Sequence, residues 1–157
     1  MVADDVDRIM QVMHGAFDPE YREAWTRRQI EDALLIGTSH YLLAGPDGER
    51  LPPACAADYP VAGFALSRIM LDEEELLLFA VLPQFRRSGI GTRLLERCAE
   101  QAKKRGITRI LLEVRRGNSA EALYRRHGFA PIGIRPNYYT TLGGQRIDAI
   151  TFERRLI

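Results

Sequence analysis

The chain has 157 residues, 46% of them hydrophobic and 27% charged. That length suits one domain with a sizeable core, and a composition near the soluble globular average excludes disordered, collagen-like and coiled-coil architectures. Lysine and arginine nearly balance aspartate and glutamate, and the net charge of +1 gives no whole-protein basic field for nucleic acid.

The acidic start Met1-Val2-Ala3-Asp4-Asp5 lacks the cationic opening of a signal peptide. No apolar run reaches the roughly 18 residues of a transmembrane helix, so no membrane partner is expected. Over residues 5–16, Val6, Ile9, Met10 and Met13 fall at helical spacing. A second helical stretch is read over 20–35, with Tyr21, Trp25, Ile30 and Leu34 facing inward. Residues 40–44 read as a strand. Gly45-Pro46-Asp47-Gly48 is a turn signal, and an irregular segment then continues through Pro52-Pro53 and Tyr59-Pro60.

Residues 61–70 form the next strand, 71–74 a turn, and 75–82 a continuous apolar run, as for a strand buried on both faces. Residues 90–104 form the clearest helix: Ile90, Leu94, Leu95, Cys98 and Ala102 make one apolar stripe, and Gly106 stands at the position after its end. A strand over 107–115, a short helix over 118–127 stopped by Gly128, and strands over 129–134 and 147–156 close the chain. Helix and strand alternate in the middle with hairpins on either side. That order predicts an α/β fold with a mixed sheet.

The most informative segment is Arg86-Arg87-Ser88-Gly89-Ile90-Gly91, between the apolar strand and the amphipathic helix. Glycines permit a tight turn and close ligand approach, and a helix N-terminus offers unpaired N–H groups, so the segment suits a phosphate or pyrophosphate. It is neither a nucleotide P-loop nor a dinucleotide fingerprint, because no Lys-Ser/Thr follows and the third glycine is absent. Taken alone, a surface loop is as good a reading.

Strand, Arg-x-x-Gly-x-Gly and amphipathic helix together resemble the acyl-CoA motif of the GNAT N-acetyltransferases. Leu112-Glu113-Val114-Arg115, Asn118, Ala122-Leu123-Tyr124 and Gly128-Phe129 resemble that family's C-terminal half. Arg135-Pro136-Asn137-Tyr138-Tyr139, Gly144 and Asp148-Ala149-Ile150 resemble its RimI-type branch, which acetylates the N-terminal alanine of a ribosomal protein. The resemblance implies one domain over residues 1–157, a mostly antiparallel sheet flanked by helices, and acetyl-CoA as donor.

The resemblance assigns the cofactor to Arg86, Arg87, Ser88, Gly89, Ile90, Gly91 and Thr92, and to Asn118. It places the thioester along Phe79, Ala80 and Val81, with the Val81 N–H facing its oxygen. Asn118 is equally suited to cap the short helix.

The acceptor amine must lose a proton. An α-amine has a pKa of ~8 against ~10.4 for lysine, a difference of about 2.5 units or roughly 3.4 kcal/mol in its favour. Glu113 is the candidate base. Strand alternation puts it on the face of Leu111, where a carboxylate needs a partner or a cleft. Pairing with Arg115 is the structural alternative. Tyr124 is the candidate acid for the leaving thiolate, its alternative a packed aromatic. Arg135, Asn137, Tyr138 and Tyr139 fall where the RimI branch forms its peptide groove. Adjacent aromatics on a strand face opposite ways, so at most one of the two tyrosines should line it.

Cys98 reads as core, and Cys55 has no cationic neighbour, so direct transfer in a ternary complex is expected over an acyl-cysteine route. His14, His40 and His127 show no metal-ligand spacing with the cysteines, and no metal is expected. Two cysteines are too few for a disulfide framework, which points to a reducing, cytoplasmic setting. The expected acceptor is a protein N-terminus such as that of a ribosomal protein. The alternatives are a small-molecule amine or lysine side chain, and a CoA-binding module without catalysis.

The chain departs from the family twice. Family members begin with a strand, whereas Asp5 here already opens the first helix, so the first strand should be missing or reduced. The family's asparagine precedes its tyrosine by seven residues, while Asn118 precedes Tyr124 by six.

Overall fold

The computed structural model describes residues 3–52 and 60–156. Cys55 and the middle of the 45–60 loop lie outside the described residues. The helices are α1 (Ala3–Ala16), α2 (Arg27–Leu34), α3 (Ile90–Lys104) and α4 (Ala120–Arg126). The strands are β1 (Ser39–Ala44), β2 (Gly63–Met70), β3 (Glu73–Val81), β4 (Arg109–Arg115), β5 (Ala130–Thr140) and β6 (Arg146–Arg155). They form one sheet in the order β1-β2-β3-β4-β6-β5. Only β3 and β4 run parallel, so the sheet is mixed and mostly antiparallel. Among the described residues the chain opens on α1, and β1 is one edge of the sheet.

Two apolar layers sandwich this sheet. On one face Val6, Ile9, Met13 and Ile30 of α1 and α2 pack on Phe64, Leu66 and Leu78. On the other, Leu94, Leu95, Cys98 and Ala102 of α3 and Tyr124 of α4 pack on Ile110, Leu112, Val114 and Phe152. The α3 stripe is the one its 3.6-residue period requires. Its end is the expected one too: Gly106 takes φ +82, which costs a glycine nothing.

Four local readings need correction, and the first three shape the cleft. First, residues 20–35 are not one helix. Asp18 accepts from the Glu20 N–H to cap a single 3-10 turn, Pro19–Tyr21, and Arg22 ends it with φ 56. The Thr26–Gln29 capping box then starts α2. Tyr21 ends that turn at the cleft, and Glu23 and Trp25 are released into a connecting segment beside it.

Second, β3 is not a plain strand buried on both faces. Leu76 pairs with Ser67 and Leu78 with Leu66, so Leu77 has no partner on β2. A bulge switches which face each side chain takes and bends the strand. Leu76 therefore joins the α3 layer, whereas Leu78 and Ala80 join the α1 layer.

Third, β5 continues to Thr140, and its pairing with β6 is interrupted between Arg135 and Tyr139. Asn137 sits there with φ 54, a conformation that asparagine tolerates better than most residues. The short helix is also trimmed: Ser119 is its N-cap and Ala120 its first residue.

Candidate active site

The parallel β3–β4 ladder runs only from Glu73 opposite Arg109 to Leu76 opposite Leu112. Beyond that point the strands part, and two grooves open from opposite sides of the gap. One, of about 690 Å³, is lined by Val81, Arg86, Arg87, Gly89, Gly91 and Thr92 and by α4. The other, of about 450 Å³, is lined by Trp25, Glu75, Glu113, Tyr138 and Tyr139. Phe17, Glu23, Phe79, Asn118 and Tyr124 border both.

The glycine turn builds the first groove. Gly89 caps α3 with φ +83 and no side-chain bond, and the first helical bond there is from Arg93 N–H to Gly89 O. The N–H groups of Ile90, Gly91 and Thr92 are left for a ligand. A Cβ on Gly91 would lie 3.3 Å from Leu123 Cδ2, whereas one on Gly89 would meet nothing within 4 Å. Gly91 is thus needed for close packing and Gly89 for its backbone angle.

The predicted contacts in this segment are not equivalent. Arg87 faces the groove with no side-chain bond among the described residues. Arg86 braces the turn instead, donating from Nε to Val81 O (3.1 Å) and from Nη2 to Ala16 O (3.1 Å). Ser88 turns its hydroxyl onto Phe85 O, and Ile90 is buried in the core. These last two have only backbone groups to offer.

Val81 borders the same groove. In the antiparallel ladder Ala80 is bonded to Phe64, and Leu82 N–H reaches Ala62 O. Alternation then turns the N–H and C=O of Phe79 and Val81 away from β2 into the gap. An unpaired N–H at a cleft edge is a donor for a developing oxyanion.

Tyr124 closes the gap from α4. Its ring makes edge contacts with Phe79 (6.0 Å between centroids) and Phe129 (5.7 Å). Burial pushes its phenol above the ordinary value. The hydroxyl remains protonated at neutral pH, and Tyr124 borders both grooves. Asn118 is held locally: its Oδ1 accepts from Ala120 N–H at 2.9 Å.

Glu113 stands on the half-buried face of β4, as alternation requires. Its neighbour is not Arg115. Arg135 Nε lies 3.0 Å from Glu113 Oε1, yet no N–H is aimed at that buried oxygen, which accepts no hydrogen bond. Arg115 pairs with Glu23 instead, Nε to Oε1 at 3.4 Å, with its guanidinium 3.5 Å above the Tyr21 ring.

Both Tyr138 and Tyr139 line the second groove, a correction to the expectation of at most one. The left-handed turn at Asn137 breaks the alternation, and the two rings pack edge to face at 5.1 Å. Burial, with the negative charges of Glu23 and Glu113, raises the Tyr139 phenol to about 12. Arg135 reaches the site through Glu113. Asn137 does not line the groove: its N–H donates to Asp148 Oδ1.

Sequence reasoning missed Glu23. It lay in a stretch read as helix, and only the turn at Arg22 and the ion pair with Arg115 bring it to the cleft. Burial raises its pKa, and Arg115 pulls it back. Cys98 is buried and its thiol is pushed up to about 12 by desolvation, so it has no nucleophilic part. Among the described residues no helix is long and apolar enough to cross a membrane.

The acetyltransferase (GNAT) family matches residues 6–129. The [ribosomal protein bS18]-alanine N-acetyltransferase of Salmonella typhimurium is 44% identical over 130 residues, 81% of this chain and 85% of the relative. Its counterpart in Haemophilus influenzae is 36% identical over 121 residues, 76% and 83% of the two chains. The solved ribosomal-protein-S18-alanine N-acetyltransferase from Escherichia coli superposes with a TM-score of 0.80 at 28% identity, covering 99% of this chain and 90% of that one.

Proposed function

The chain belongs to the acetyltransferase (GNAT) family and is an acetyl-CoA-dependent N-acetyltransferase, and from that premise we propose that its acceptor is a protein N-terminus, the N-terminal alanine of ribosomal protein bS18. The observation that carries this is the meeting of two grooves at Tyr124, one lined by a helix N-terminus and the other by a carboxylate and two tyrosines. The named activity of the relatives supports the choice of acceptor. We take residues 1–157 as one catalytic domain acting in the cytoplasm, where ribosomal proteins are made.

In this mechanism the unpaired N–H groups of Ile90, Gly91 and Thr92 and the Arg87 guanidinium bind the donor's pyrophosphate. The Val81 N–H receives the thioester oxygen as it gains charge. The α-amine enters by the second groove, past Tyr138 and Tyr139. Glu113, on the wall of that groove, takes its proton. The amine attacks the thioester carbonyl, the C–S bond breaks, the Tyr124 hydroxyl protonates the departing thiolate, and the proton still on the new amide nitrogen returns the phenol to its protonated form. The acetyl group passes directly from donor to acceptor.

The test is an acetylation assay with peptides that differ in their first residue, beside an N-blocked lysine peptide and a polyamine. The alanine-start peptide of bS18 should be modified at its α-amine with the highest kcat/KM. Faster turnover of the lysine peptide or the polyamine would replace this acceptor.

A further inference from the structure

We propose that Glu23 holds the acceptor's ammonium group at the junction of the two grooves, as a substrate-binding residue distinct from the base Glu113. The proposal rests on the reading that the acceptor is a peptide α-amine.

Three observations carry it. Glu23 borders both grooves, so its carboxylate lies where an entering amine meets the thioester. Only one of its oxygens is committed: Oε1 faces Arg115 Nε at 3.4 Å, while Oε2 has no partner among the described residues. The pair is held rigidly for a connecting segment. The Glu23 and Arg115 side chains are only 16% and 12% exposed, and Arg115 is clamped on the Tyr21 ring.

The surroundings give that free oxygen a task. Phe17, Trp25 and Phe79 line the approach, and an ammonium entering such walls loses water that only a counter-charge can replace. Glu113 stands on the wall of the second groove with its Oε1 beside Arg135, and Glu23 Oε2 supplies a second carboxylate oxygen at the junction. Tyr139 lines the second groove together with both carboxylates. An α-ammonium bridging Glu23 and Tyr139 would stand beside Glu113, ready to lose its proton. An acceptor without a positive charge would leave Glu23 with Arg115 alone.

The experiment uses the full chain with coenzyme A bound, so that no acetyl transfer occurs. Calorimetry compares the bS18 N-terminal peptide with the same peptide lacking its α-amino group. Wild type should bind the amine form about 10- to 100-fold tighter, the range of a hydrogen bond to a charged group. Glu23→Gln should bind both alike, and Glu23→Asp should restore part of the preference. In turnover, Glu23→Gln should raise the peptide KM by a similar factor and leave the acetyl-CoA KM within about twofold. An unchanged acetyl-CoA thermal shift shows that each variant is folded. If Glu23→Gln keeps the full amine preference, Glu23 is only a brace for Arg115 and the assignment falls while the acceptor reading stands. If wild type binds neither peptide, the acceptor reading fails and the Glu23 assignment with it.

Discussion

Leu76 and Leu112 are the last residues that β3 and β4 hold opposite one another. The next residue of β3, Leu77, is bulged out of its pairing with β2. A bulge bends its strand and sharpens the local twist, so it swings Phe79 and Val81 away from β4. The active-site gap follows from that one extra residue. It exposes the Val81 N–H on one side and leaves Glu113 on β4 across the opening, with Tyr124 between.

The approach to the α3 N-terminus can be tested at Gly91. A Cβ there would lie 3.3 Å from Leu123 Cδ2 and 3.9 Å from Val81 Cγ2, so the methyls of valine must occupy the groove or push α4 aside. Gly91→Val should therefore abolish most of the thermal shift given by acetyl-CoA. The wild-type shift corresponds to about 2.7 kcal/mol at a hundredfold excess over Kd. A full shift in the variant would move the pyrophosphate elsewhere.

Glu113→Gln should lower kcat on the bS18 peptide by about 10²- to 10⁴-fold. Because Glu113 lines the second groove and not the first, acetyl-CoA binding should remain within about twofold. An equal loss in both would mean that the Glu113–Arg135 pair supports the fold. An unaltered rate across neutral pH would make another group the base.

Tyr124 and Asn118 should separate clearly. Tyr124→Phe keeps the edge contacts with Phe79 and Phe129 and removes only the hydroxyl, so stability should hold while turnover falls on the order of 10²-fold. Asn118 spends its Oδ1 on Ala120 N–H. Asn118→Ala should cost about 1 kcal/mol of stability, as for a lost hydrogen bond, with acetyl-CoA affinity changed less than threefold. A steep loss of affinity on titration with acetyl-CoA would mean that Asn118 turns to the cofactor when it binds.

Asn137 holds the bulge that puts both tyrosines in the acceptor groove. Asn137→Gly should be tolerated. Asn137→Val should cost about 1–2 kcal/mol for a side chain forced into the left-handed region, and should raise the peptide KM but not the acetyl-CoA KM. Thermal unfolding and a two-substrate kinetic series read the two effects apart.

Much of this protein is legible in short stretches of its sequence. The period of the α3 stripe, the glycine turn before it and the Leu-Glu-Val strand are local patterns, and local patterns survive into the structure because side-chain direction follows backbone period. They sufficed for the mixed sheet, the element order, the family and the face on which Glu113 stands. The rest depends on contacts between distant segments. The Leu77 bulge is invisible in a run of leucines, since only pairing with β2 shows which residue is left over. The reversal at Arg22 looks helical in composition, and its φ of 56 is set by Asp18 capping one turn and Thr26 starting another. Glu23 and Arg115, 92 residues apart, meet only because that reversal lays the connecting segment across the end of β4. Tyr138 and Tyr139 share a groove only because β6 pairs on either side of Asn137 and forces the residues between to turn.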